Sequence, residues 1–117
     1  MVNYFVSIAA QKTDEVFHAL ANAKRRGMVD SLSVSPATVS QLAVEHGLSL
    51  PAIHKHIRIL EKAGLLNRHK VGRTNFVALN RTGLGIAQGW LSNHQSQWGR
   101  GRQSLEHYIA SFLKKSD

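Results

Sequence analysis

Residues 49–64 read SLPAIHKHIRILEKAG, and this stretch decides the fold. Ser49 can cap a helix, and Pro51 is tolerated in its first turn, where the missing N–H costs nothing. Apolar residues recur at helical spacing and predict a single buried side, formed by Ile53, Ile57 and Leu60. The stretch therefore predicts a helix over about residues 50–63.

The opposite side of this helix is basic. Pro51, His54, Lys55 and Arg58 are spaced i, i+3, i+4 and i+7, so they share one face, and no acid lies among them. A helix fits the major groove of DNA, where its N-terminal half meets base edges and later residues reach phosphates. The predicted roles are close approach to bases (Ser49, Ala52), donation to guanine acceptors (His54, Lys55) and contact with a base or a phosphate (Arg58).

Other basic residues are interpreted as internal or left unassigned. His56 lies three residues after Ile53 and four before Leu60, which places it on the apolar side of the helix. We predict that it supports the core and does not read bases. Residues 24–26, with sequence KRR, suit internal ion pairs as well as DNA contacts, so they are left out of the predicted site.

The segments before residue 49 predict further helices and a sharp turn. Thr38 with Gln41 three residues later is a capping-box pattern, and Thr38 is included among the predicted DNA contacts. The short helix that follows should end at Gly47, where a left-handed residue turns the chain. Upstream, Thr13 is placed to cap a helix, and Asn22 marks a bend before a second one.

After Gly64 the periodicity changes to that of strands. Residues 65–70 and 74–79 predict a β-hairpin around the three-residue turn 71–73, which contains a glycine. A basic hairpin can follow a phosphate backbone or insert an arginine into the minor groove. The predicted contacts are Arg68, Lys70 and Arg73, although lysine on such a hairpin also serves to block edge pairing.

Short helix, sharp turn, second helix and hairpin together predict a winged helix-turn-helix, a mainly α fold with one β-hairpin. Residues 13–64 form its helical core and residues 65–79 its wing. Asn80 is a helix cap by residue type. After it, residues 81–114 predict one long C-terminal helix, because its apolar positions keep one phase across Gly99 and Gly101.

The C-terminal helix carries more apolar surface than a small domain can bury by itself. We predict that a twofold partner covers it. The predicted interface residues are Trp90, Leu91, Trp98, Leu105, Tyr108 and Phe112. Such a dimer would place its two copies of the predicted helix 50–63 about 34 Å apart, which is the length of one turn of DNA.

Composition restricts the function classes. The 117 residues suit a single domain, and the formal charge of +8 favours polyanionic partners, nucleic acid above all. Without cysteine there is no disulfide and no thiolate metal site.

No apolar run suits a membrane span and the N-terminus lacks signal-peptide features, so we expect a cytoplasmic protein that does not bind membranes. The scattered acids suggest no enzyme, and the glycines at 83–89 lack the context of a dinucleotide loop, so no cofactor is expected.

Two motifs resemble the ArsR/SmtB family of winged helix-turn-helix regulators. Residues 17–26, FHALANAKRR, are similar to the family's F-x-A-L-A-D-P-x-R-R opening, and residues 49–57, SLPAIHKHI, match its S-x-P-A-[VI]-x-K-H-[LI] recognition helix. The resemblance covers about residues 14–114. It implies a symmetric dimer, formed by the terminal helices, that binds an inverted-repeat operator and represses transcription.

Several residues depart from the family pattern, and these departures refine what the resemblance implies about DNA contacts and metal binding. Asn22 and Ala23 replace the usual Asp-Pro, which should alter only the bend, and Leu50 replaces a frequent Gln, which removes one amide contact to a base. Residues 39–46 lack the family's cysteine motif, so the chain resembles the metal-independent branch. An effector, if one exists, is not specified by the sequence.

Two alternatives remain open at this stage. A Zn²⁺- or Ni²⁺-responsive repressor could use His94, His107 and His18 across a dimer, although the spacing differs from the family's interface site and packed or surface histidines are the default. A winged-helix module could instead bind protein or RNA and never read DNA.

Overall fold

The computed structural model describes the backbone from Val2 to Lys115 and the side chains of residues 8–95 and 104–115. The elements in chain order are α1 (Val2–Leu20), α2 (Ala23–Val34), β1 (Ala37–Thr38), α3 (Val39–Glu45), α4 (Leu50–Lys62), β2 (Leu66–Val71), β3 (Thr74–Leu79) and α5 (Arg81–Lys115). The fold is a winged helix-turn-helix with an antiparallel three-stranded wing, which confirms the predicted fold class. Contacts divide the chain into two units, Met1–Ala87 and Gln88–Asp117.

The predicted helix boundaries around α3 and α4 are confirmed by their caps. Thr38 forms a reciprocal capping box with Gln41 at the start of α3. Gly47 has φ 62°, the left-handed conformation that lets the chain turn sharply before α4. Ser49 then caps α4 by accepting a hydrogen bond from the N–H of Ala52, and Pro51 lies in the first turn.

The prediction that Thr13 caps a helix is wrong. α1 is already helical from Val2, so Thr13 lies in its interior, and its hydroxyl donates to the carbonyl oxygen of Ala9 at 3.0 Å. Threonine tolerates a helix interior when its hydroxyl bonds to the carbonyl four residues earlier. Asn22, in contrast, marks a real bend: its side chain caps α2 by accepting from the N–H of Arg25.

The wing differs from the predicted hairpin in two details. β1 adds a third strand, in which Ala37 pairs with Val77 and Thr38 with Phe76, and two residues are too few to show periodicity in a sequence. The hairpin turn is also shorter than predicted, because Val71 pairs directly with Thr74. Gly72, at φ 61°, takes a position of the two-residue turn that disfavours a side chain.

The core of the first unit lies among α1–α4 and the base of the wing. Its fully buried large side chains are Val16, Met28, Leu42, Ile53, Ile57, Leu60, Leu65 and Val77. The first turn of α5 packs against the end of α4, where the N–H of Gly83 donates to the carbonyl of Gly64 at 2.8 Å. A Cβ at Gly83 would lie 2.6 Å from the carbonyl oxygen of Ala63, so only glycine fits this approach. These contacts fix α4 and the wing on one scaffold.

The second unit contains the remainder of α5, which continues through Gly99 and Gly101 as one helix, as predicted. Its described apolar side chains are largely exposed, among them Leu91, Leu105, Tyr108, Ile109 and Phe112. The side chain of Trp98, a predicted interface residue, lies outside the described residues. Among the described residues, none of the helices combines the length and apolar character needed to cross a membrane.

Candidate nucleic-acid interface

The recognition helix α4 has the two sides that its sequence predicts. Ile53, Ile57 and Leu60 are buried completely. On the other side Pro51, Lys55 and Arg58 are exposed, together with Ser49 before the first turn, while His54 and Ala52 are partly buried. The outward side chains therefore form a continuous surface along the N-terminal two turns of α4.

This surface keeps its positive charge. Among the described side chains, the ion pairs within 4.0 Å are Lys62 with Glu15 and Arg68 with Glu61. The remaining basic side chains of α4 and the wing are exposed and outside these pairs: Lys55, Arg58, Lys70 and Arg73. Unpaired exposed cations on adjacent elements produce a positive potential that attracts a phosphate backbone.

An open cleft of about 300 Å³ joins three elements of the predicted site. The residues that line it come from the start of α3 (Thr38, Val39, Ser40), from α4 (Leu50, His54) and from the wing (Arg73, Thr74, Asn75). Predicted DNA contacts that are far apart in sequence thus meet at one concave surface.

Two hydroxyl groups at this surface have a structural task as well. The Oγ1 of Thr38 accepts from the N–H of Gln41 at 3.1 Å, and the Oγ of Ser49 accepts from the N–H of Ala52 at 3.3 Å. A hydroxyl that accepts one hydrogen bond still carries a proton to donate. Both residues can therefore cap a helix and donate to a phosphate oxygen at the same time.

Arg68 is placed differently from the other predicted wing contacts. Its Nη2 donates to Oε1 of Glu61 at 2.6 Å, and its Nη1 lies 3.5 Å from Nδ1 of His54. Its side chain is only 25% exposed. The guanidinium therefore ties β2 to α4, whereas Lys70 and Arg73 on the same hairpin face solvent.

Behind α4, a buried arginine holds the helix. Arg25 donates from Nε to the carbonyl of Ala19 at 2.7 Å and from Nη2 to that of His18 at 3.1 Å, and its Nη1 lies 3.3 Å from Nδ1 of His56. Burial lowers the pKa of His56 from 6.5, and the charges of Arg25, Lys55 and Lys24 lower it further. His56 is therefore a neutral supporting residue, in line with its inward position in the sequence.

The internal ion pairs considered for residues 24–26 are not what the structure shows. Lys24 donates to the carbonyl of His46 and Arg26 to that of Leu20, both at 2.8 Å. Like Arg25, they satisfy backbone carbonyls near helix ends, where such groups lack partners within the helix. The sequence signal for this role is the presence of three adjacent cations in the first turn of α2, a few residues after the end of α1.

Among the histidines considered as metal ligands, His94 has other contacts. His94 stacks on Trp90 with ring centroids 4.1 Å apart and donates from Nδ1 to the carbonyl of that residue. Within the part of the chain that the structure describes, no three His, Asp or Glu side chains form a group that could hold a metal ion.

Comparisons with known proteins agree with this geometry. Residues 22–68 match the family model described as bacterial regulatory protein, arsR family. The chain is 30% identical over 80 residues to the transcriptional repressor SdpR of Bacillus subtilis, an alignment that covers 68% of this chain and 89% of SdpR. The chain belongs to the ArsR family. It is a DNA-binding transcription regulator and not an enzyme.

Solved structures show the same architecture. The crystal structure of an ArsR family transcriptional regulator is 36% identical, covers 77% of this chain and 93% of that one, and superposes with a TM-score of 0.73. An ArsR-like regulator from Rhodococcus sp. RHA1 is 26% identical, with 84% and 92% of the two chains covered and a TM-score of 0.72. The identification as an ArsR family regulator thus rests on both sequence and fold.

Proposed function

We propose that this ArsR family regulator is a homodimeric repressor that binds an inverted-repeat operator and represses by occluding a promoter. The observation that carries the proposal is the convergence of the start of α3, the N-terminal part of α4 (Leu50 and His54) and the tip of the wing on one cleft. The printed name of SdpR, a transcriptional repressor, supports repression as the output.

Two groups of side chains divide the work at the interface. Lys70 and Arg73, exposed on the wing, contact phosphates and supply affinity that falls with salt. The exposed N-terminal part of α4 enters the major groove and supplies sequence choice. The base-reading group comprises Ser49, Pro51, Ala52, His54 and Lys55. Arg58 contacts a base or a phosphate, and Thr38 contacts the phosphate backbone of the DNA.

The exposed apolar side chains of α5 support the dimer. Leu105 is 59% exposed, Tyr108 66% and Phe112 61%. Large apolar side chains clustered on one helix face are typical of an interface between proteins, and a second copy with the same face is the partner that closes a twofold dimer. A twofold dimer presents two copies of α4, which requires two half-sites in inverted orientation.

Selection of binding sites from random duplex DNA tests this function. The purified chain should enrich an inverted repeat whose half-sites lie about 10 base pairs apart, centre to centre. Enrichment of an unsymmetrical site would contradict the twofold dimer, and the absence of any enriched sequence would contradict sequence-specific binding.

A competition experiment addresses the function of a winged helix that binds RNA. Labelled operator DNA should be displaced by unlabelled operator but not by an equal concentration of duplex RNA of the same sequence. The shape and groove dimensions of A-form RNA do not admit α4, so equal displacement by RNA would contradict groove reading.

A further inference from the structure

Three side chains connect the wing to the outward face of α4. Glu61, in the last turns of α4, accepts a hydrogen bond of 2.6 Å from Nη2 of Arg68 on β2. The other terminal nitrogen of the same guanidinium, Nη1, lies 3.5 Å from Nδ1 of His54, one of the predicted base readers. Arg68 and Glu61 are partly covered, at 25% and 33% side-chain exposure, so the pair is partly shielded from water.

The chemistry of arginine determines which nitrogen of His54 carries the proton. A guanidinium has five N–H donors and no acceptor, and it stays protonated in proteins. A ring nitrogen that faces it must therefore offer a lone pair. In a neutral imidazole with a lone pair on Nδ1, the proton is on Nε2.

We infer that Arg68, held in place by Glu61, fixes the tautomer of His54 that has its lone pair on Nδ1, so that the Nε2–H donates to a purine N7 in the major groove. This inference rests on the proposed function, because it assigns a specificity to the same site. Without the fixed proton, neutral His54 could present either a donor or an acceptor to a base edge. When the proton is fixed on Nε2, His54 can only donate to a base edge. It therefore favours bases that display an acceptor and disfavours contact with the amino groups of adenine and cytosine.

Arg68 is accordingly a positioning residue and not a phosphate contact. Its positive charge is already compensated by the carboxylate of Glu61, and its two terminal nitrogens face Glu61 and His54. Lys70, two residues later on the same strand, is exposed and makes no such bridge among the described side chains. Lys70→Gln is therefore the matched control for Arg68→Gln, since both remove one positive charge from β2.

The first arm of the test uses the free protein and involves no DNA. Nitrogen-15 chemical shifts of the imidazole, assigned through the resonances that disappear in His54→Gln, report which ring nitrogen is protonated. The wild-type protein and Lys70→Gln should show Nε2–H with a lone pair on Nδ1, whereas Arg68→Gln should show a mixture of tautomers. Nδ1–H in the wild type, or an Arg68→Gln spectrum identical to that of the wild type, would overturn the assignment.

The second arm measures base recognition on the selected operator. Each purine is replaced in turn by its 7-deaza analogue, which lacks N7 but retains Watson–Crick pairing. At one position per half-site, affinity of the wild type should fall about 2- to 10-fold, the effect of a single hydrogen bond. The effect at that position should vanish in His54→Ala, shrink in Arg68→Gln and persist in Lys70→Gln.

The two arms separate the inference from the function on which it rests. If no position shows a 7-deaza effect that depends on His54, recognition of a purine N7 is wrong even when the operator is bound specifically. If no operator can be selected at all, the proposed function fails, while the tautomer of His54 in the free protein still tests the role of Arg68.

Discussion

Nη1 of Arg25 lies 3.3 Å from Nδ1 of His56, and through this contact the end of α1 is tied to the middle of the recognition helix. The same guanidinium binds the carbonyl oxygens of His18 and Ala19. Arg25 is only 7% exposed, and its partners in the structure are neutral acceptors. A buried charge of this kind is costly unless its donors are satisfied, so these bonds contribute to both stability and the placement of α4.

Replacing Arg25 by methionine should lower the free energy of unfolding by about 2–4 kcal/mol, because acceptors buried around it lose their donor. Urea denaturation monitored by circular dichroism measures the change. Arg26→Met is the matched control: Arg26 is exposed and donates to one carbonyl, so its loss should cost less than about 1 kcal/mol. Equal losses in the two variants would contradict the anchoring role of Arg25.

Acid should destabilise the protein through His56. The pKa of His56 in the folded state lies below 6.5 because burial and nearby cations disfavour its charged form. The unfolded chain therefore binds the extra proton first, and stability falls as the pH drops below about 6.5, the unfolded value, until the lower folded pKa is passed. His56→Gln keeps a neutral hydrogen-bonding side chain, so it should remove this part of the pH dependence in urea denaturation. An unchanged profile would contradict the assignment.

Local signals in the sequence predict the helix-turn-helix, and contacts between distant elements complete the site. The caps at Thr38 and Ser49 and the turn at Gly47 depend on neighbours within a few residues, so residue types alone indicate them. The outward face of α4 follows from helical spacing in the same way. The contacts of Arg68 with Glu61 and His54 depend on how β2 packs against α4, which no local pattern encodes.

Two glycines at the start of α5 should respond in opposite ways to the same substitution. Gly83→Ala places a Cβ 2.6 Å from the carbonyl oxygen of Ala63 and 2.9 Å from that of Gly64, so it should destabilise the fold by about 1–3 kcal/mol. Gly85→Ala meets no atom within 4 Å and should stabilise the helix by about 0.5–1 kcal/mol. Thermal unfolding of both variants measures the difference. Similar shifts of the same sign would contradict close packing between α5 and the end of α4.

Charge on the apolar face of α5 should dissociate the proposed dimer. Phe112→Glu would bury a carboxylate at the interface and should raise the dimer dissociation constant about 100-fold or more, as measured by sedimentation equilibrium. Ala110→Glu adds the same charge two residues earlier, on a different side of the helix, and should leave the assembly intact. Dissociation by both variants, or by neither, would argue against this face as the interface.

In the proposed division of roles, α4 chooses the DNA sequence while the wing supplies positive charge. Fluorescence anisotropy titrations over a range of salt concentrations, with the selected operator and with random duplex, test it most directly. Lys55→Ala and His54→Ala should each lose about 1–3 kcal/mol of preference for the operator. Arg73→Ala should weaken both duplexes equally and reduce the slope of log affinity against log salt by about 1. A change in preference caused by Arg73→Ala, together with unchanged preference in Lys55→Ala and His54→Ala, would contradict the account.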